Sequence, residues 1–212
     1  MKLKEPLNTW THFLGFLAGI AGLVMLLIKS EEDPAKLITM SIFGLSILFL
    51  YGASAMYHGL HTTPQRELLL RKIDHIAIFL LITGTYTPLL FYGLHGWWRG
   101  SMLVAVWSIA LIGILLKIFF MKTPRLFSTL FYLALGWMAV IPLAKLMQNL
   151  PPGALVWLLI GGLSYTVGAV IYGTKKVSLF NKRLGFHEIF HIFILLGTVS
   201  HFIMVYHYLI PR

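Results

Sequence analysis

The chain has no cysteine and only seven acidic residues among its 212. Without cysteine there is neither a disulfide framework nor a thiolate metal site, and the redox state of the compartment stays unread. The shortage of charge excludes more. Charged residues make up 11% of the chain, against about 25% in a soluble domain, so polar groups cannot cover a globular surface. Hydrophobic residues make up 58% instead, and they gather in runs of the roughly 20 residues needed to cross a bilayer. The solvent is lipid.

Seven apolar segments stand out, at about 9–28, 37–58, 73–92, 98–120, 127–147, 153–173 and 186–208. Backbone exposed to lipid must satisfy its own hydrogen bonds, and the period-two alternation of a barrel strand is missing, so all seven are read as helices. The connections are short and carry turn formers such as Pro34, Pro64, Gly96, Pro124, Pro151 and Asn181. No linker or low-complexity tract interrupts them, and the expectation is one seven-helix transmembrane domain over 1–212. The first apolar segment is too long for a secretory signal and lacks a small-residue cleavage site, so it reads as a retained anchor. Pro88 and Pro142 fall inside helices and should kink them. The GFLAG stretch at 15–19 is a small-xxx-small pattern that lets the first helix approach a neighbour closely.

A net charge of +10 raises the question of nucleic acid. The bases are spread over short loops rather than gathered in a patch, so no nucleic-acid partner is expected. Their distribution instead sets an orientation. With the N-terminus in the cytoplasm, the inner set is Lys2, Lys4, Arg66, Arg71, Lys72, Lys117, Lys122, Arg125, Lys175, Lys176, Lys182 and Arg183, and the outer set is Lys29, Lys36, Arg99, Lys145 and Arg212. That is 12 against 5, which predicts the N-terminus inside and the C-terminus outside a plasma-membrane protein.

The orientation brings the most polar residues to one depth. The second helix ends in SAMYH, with Ser54 and His58; the third opens RKIDH, with Asp74; the seventh opens GFHEIFH, with His187 and His191; and EPLNTWTH before and into the first adds Glu5, Asn8 and His12. His187 and His191 lie about 40° and about 6 Å apart on one helical face. Two imidazoles so spaced, with a third from another helix, can hold a zinc ion and leave its fourth position open. Cobalt or nickel would accept the same ligands. The motif HxxxH alone fits equally well two interfacial histidines bonded to neighbouring helices. The other polar groups at the same level favour a metal, because ionisable residues inside a membrane are costly unless they serve a purpose.

The remaining candidates read more simply. His75 and Glu188 point away from the shared faces, as an interfacial and a snorkelling residue. His61, His95 and His207 sit in loops or ends, Asn8 reads as a helix cap, and Glu5 as an acid favoured by the positive helix end. His201 returns to nearly the face of His187 but lies about 15 Å beyond His191, too far to share a metal. It reads as a packing residue or as part of a cavity wall.

EPLNTWTH, SAMYH, the aspartate of KIDH and HEIFH, in that order, resemble the bacterial hemolysin III family, which groups with the adiponectin and progestin receptors and more distantly resembles the alkaline ceramidases. The resemblance covers essentially the whole chain. It implies a seven-helix fold with a zinc near the cytoplasmic face, its ligands His58, His187 and His191, with Asp74 and Ser54 beside it. The long N-terminal extension of the receptors is missing, so hormone sensing is not implied.

Two functions fit these residues. A three-histidine zinc can activate water and polarise a carbonyl; Asp74 could move the proton and Ser54 stabilise an oxyanion. Apolar walls around such a site suit membrane lipids, so the first reading is a zinc-dependent hydrolase of a lipid amide or ester. The second is a non-enzymatic protein with a structural zinc, either a regulator of membrane lipid homeostasis or a pore-forming cytolysin. No charged residue lies near the middle of any span, which argues against an ion path, and no lysine in the seventh helix could hold retinal.

Overall fold

A computed structural model describes residues 3–177 and 184–210. Lys2, Asn181, Lys182, Arg183 and Arg212, which the turn and orientation readings used, lie outside the described residues. The architecture is an all-α membrane bundle of helices α1 (Pro6–Ile28), α2 (Pro34–Gly59), α3 (Pro64–Gly93), α4 (Gly96–Phe119), α5 (Arg125–Gly136), α6 (Leu143–Asn149), α7 (Pro152–Thr174) and α8 (Phe186–Met204). Six of the helical segments are long and apolar enough to span a bilayer, and a seventh span results if the bent pair α5–α6 crosses as one.

Local chemistry sets the helix starts. Asp33 caps α2 by accepting from the Ala35 and Lys36 amides, with Pro34 in the first turn, where its missing N–H costs nothing. Thr63 and Pro64 do the same for α3. That helix therefore begins well before the apolar run at 73, and Asp74 lies inside it rather than at its start. Gly96 opens α4 with φ +56°, a left-handed conformation that a residue with a Cβ rarely adopts.

Each helix packs on its sequence neighbour, and α8 closes the bundle against α7 and α1. The GFLAG pattern serves this packing. A Cβ on Gly15 would lie 2.8 Å from Leu195 and 3.0 Å from Tyr51, and one on Gly19 would lie 3.0 Å from Ile47 and Leu48. Leucine, isoleucine and phenylalanine side chains such as Leu14, Ile28, Leu111 and Phe119 face outward, as lipid requires.

At Pro142 the expected kink is a break. The chain passes through a short 3-10 turn at Trp137–Val140 and resumes as α6, bent by 49°. Backbone freed from a helix in lipid needs other partners. Tyr86 supplies them: its hydroxyl donates to the Gly136 carbonyl (2.6 Å) and accepts from the Ala139 amide (2.9 Å).

The basic residues of the larger set gather at the bundle end that holds the N-terminus. Lys4 pairs with Glu67 (2.7 Å), Lys72 donates to the Ile118 carbonyl (2.8 Å), Lys117 to Ser128 and Thr123, and Arg125 lies over the Tyr172 ring. Arg99 and Lys29 sit at the other end, beside His95 and Tyr206.

Candidate metal centre

The last turns of α2 carry Ser54 and His58, both 1% exposed, and the first turn and a half of α8 carries His187 and His191. The two helix ends meet so that the three imidazoles form a triangle, with ring centroids 4.9 Å apart along every edge. One nitrogen from each ring lies within 4.8 Å of the other two, which is close enough to share one ion.

The start of the chain fixes one of these rings. The Glu5 amide donates to the His58 carbonyl (2.9 Å), and the His58 Nδ1–H donates to the Glu5 carboxylate (2.7 Å). That bond puts the proton on Nδ1 and leaves the Nε2 lone pair free. A carboxylate behind a histidine in this way orients metal-binding imidazoles and raises their basicity. Burial pushes the Glu5 carboxyl up, but the Asn8 hydrogen bond (2.8 Å) and the His58 ring outweigh it, so the carboxyl titrates below the usual glutamate range.

Two buried nitrogens of the triangle, His58 Nε2 and His191 Nδ1, make no hydrogen bond among the described residues. Burying a polar group unpaired costs about 1–3 kcal/mol on protein scales, and a metal removes that cost. Three imidazoles without thiolate suit zinc, whose catalytic sites keep three protein ligands and one open position. The residues present therefore fit the ion that the sequence resemblance implies.

Asp74 reaches the same place from the middle of α3. Its carboxyl lies beside the Ser54 hydroxyl and the His58 ring. All five residues of the expected set thus converge. Three others differ from the sequence reading. Asn8 lies inside α1, caps nothing, and donates to both Glu5 and Glu188 (3.2 Å). Glu188 is therefore turned toward α1 and does not snorkel. His75 is not interfacial: it lines the interior and contacts the Tyr132 hydroxyl at 3.2 Å. His12, expected at the same depth, stacks on His191 with centroids 3.6 Å apart, and neither of its buried nitrogens makes a hydrogen bond among the described residues. The recurrence of Glu5, Asn8 and His12 at i, i+3 and i+7 places them on one helical face; that is the signal that marks them as neighbours of the site.

A cavity of about 520 Å³ opens from this cluster. Ser54, His58, Asp74, His187 and His191 line one end. Leucine and isoleucine side chains of α3, α7 and α8 line the middle, and Leu143, Met147 and His201 the far part.

Residues 1–202 match the haemolysin-III related family. The chain belongs to that family. It is 38% identical to a hemolysin-3 homolog of Bacillus subtilis, over 97% of this chain and 94% of that protein, and 35% identical to hemolysin-3 of Bacillus cereus, over 98% and 93%. A more distant haemolysin-III relative is the adiponectin receptor protein of Drosophila melanogaster, 25% identical over 93% of this chain and 49% of the receptor. Membership and the apolar helices together make this a multi-pass integral membrane protein.

Proposed function

We propose that the protein is a zinc-dependent hydrolase of a lipid amide or ester, working at the N-terminal end of the bundle, which faces the cytoplasm of the plasma membrane. The observation that carries this reading is the pairing of partnerless imidazole nitrogens with a carboxyl and a hydroxyl at the head of a long apolar cavity. His58, His187 and His191 would hold the zinc, which supplies Lewis acidity when bound. Glu5 keeps His58 in the tautomer that presents Nε2. The cavity walls hold the fatty chain and exclude water from all but the polar end. Asp74 accepts the proton of the attacking water and returns it to the leaving amine or alcohol. Ser54 Oγ orients the Asp74 carboxyl and can donate to the oxygen that gains charge.

Metal analysis of protein purified without chelator, followed by incubation with a panel of lipid amides and esters, tests both parts. About one zinc per chain and release of a fatty acid are expected. Asp74→Asn should keep the zinc while hydrolysis falls by roughly 10²–10⁴-fold, the usual worth of a general base. A second reading has its own support: Glu5, His58, His187 and His191 tie α1, α2 and α8 together, as a structural metal would. Full cellular function in an Asp74→Asn protein that keeps its zinc favours that reading.

A further inference from the structure

His201 is a histidine that neither the metal cluster nor the proposed chemistry uses. It is 5% exposed, on α8, in the apolar part of the bundle. Its Nδ1 lies 2.8 Å from the Gly197 carbonyl oxygen. A carbonyl only accepts, so Nδ1 carries a proton, and in the neutral ring Nε2 presents a lone pair. No protein group bonds Nε2 among the described residues, and the side chain lines the cavity.

The ring is held in place. It stacks on Tyr165, with centroids 5.2 Å apart and planes at 28°. Tyr165 is itself pinned, since its hydroxyl bonds Thr198 Oγ1 (2.9 Å), which also accepts from Tyr51 (2.7 Å) and donates to the Ile194 carbonyl (3.0 Å). On the other side the ring rests on Gly161, where any Cβ would collide with it. An acceptor oriented so firmly, on a residue 5% exposed that lines the cavity, is open to a donor from whatever fills that cavity.

We propose that His201 Nε2 accepts a hydrogen bond from a hydroxyl on the lipid chain in the cavity, so that the protein selects acyl lipids hydroxylated along the chain. This rests on the reading of the cavity as an acyl-chain site. Position follows from the helix. His191 and His201 are ten residues apart, about 15 Å along α8, which is roughly a dozen carbons of an extended chain with zigzag bonds of about 1.5 Å. The hydroxyl therefore belongs about a dozen carbons from the carbonyl held at the metal end. A lone pair repels another acceptor, so an ionised carboxylate or phosphate at that place is refused.

The test measures binding and needs no turnover. Metal-loaded full-length protein in detergent is titrated with the ethanolamides of stearic acid and of hydroxystearic acids that carry the hydroxyl at successive places along the chain. The isomer hydroxylated about a dozen carbons along is expected to bind roughly 5- to 10-fold more tightly than stearoyl ethanolamide, the yield of one hydrogen bond to a buried acceptor. Isomers hydroxylated near the carbonyl should show no gain. This series uses the unaltered chain, so it does not depend on a variant folding. His201→Phe keeps the stack on Tyr165 and removes the acceptor; it should bind all the ethanolamides alike. Equal binding of the whole series by the unaltered protein, or a preference that survives His201→Phe, overturns the proposal and leaves the acyl-chain reading intact. Binding of none of them overturns both.

Discussion

Glu5 shows how a residue's role depends on what folds against it. In sequence it is an acid ahead of a helix, and its position alone gives no reason to look beyond the helix end. In the structure its carboxylate sets the tautomer of His58. Glu5→Gln should therefore weaken zinc binding by about 10- to 100-fold, the usual loss when a carboxylate behind a ligand is removed, as read by competition with a chromogenic chelator. His191→Ala should lose the metal altogether and lower the melting temperature, because an ion bound only to the folded state adds its binding energy to stability; metal content and a thermal ramp check both. The three clustered histidines were legible, since histidine is scarce in apolar helices and HxxxH repeats at helical spacing. Glu5 and His12 were named but given no part in the site, because nothing in a linear pattern says that the start of α1 lies against the end of α2 and the start of α8.

Helices in lipid gain nothing from hydrophobic exclusion when they meet each other, so close fit has to hold them. The approach of α1 to α2 and α8 over Gly15 is such a fit. Gly15→Leu should overpack it and cost about 1–3 kcal/mol, seen as a lower melting temperature in detergent. Gly100→Leu, where a Cβ meets nothing within 4 Å, should change the melting temperature little. The helices themselves were readable from apolar run length, and six were found within a few residues at most ends. The start of α3 was missed because its first turns, PQRELLLRK, are charged. Its cap and proline marked the start all the same, through Thr63 and Pro64. The break after α5 was read only as a kink. Pro142 announces a disturbed helix, but its depth depends on Tyr86, a residue of another helix that satisfies the freed backbone.

For the whole molecule, the 12-to-5 bias of basic residues predicts an orientation that can be checked directly: a reporter fused after Arg212 should be active when it needs the extracytoplasmic side and silent when it needs the cytoplasm. Activity only in the cytoplasm reverses the assignment and moves the metal cluster to the outer face. The bond between Asn8 and Glu188 has a consequence for how the protein comes into being. It joins residues 180 positions apart, and His58 must likewise wait for His187 and His191. The helix that carries Asn8 is made well before the helix that carries Glu188, so the two halves of this clasp are synthesised far apart in time. Until α8 is inserted, the buried imidazole of His58 lacks its two histidine neighbours, and a chain stopped short of α8 has no three-histidine cluster. If the three histidines hold zinc as proposed, a cell short of zinc should accumulate full-length chains that are inserted but not closed.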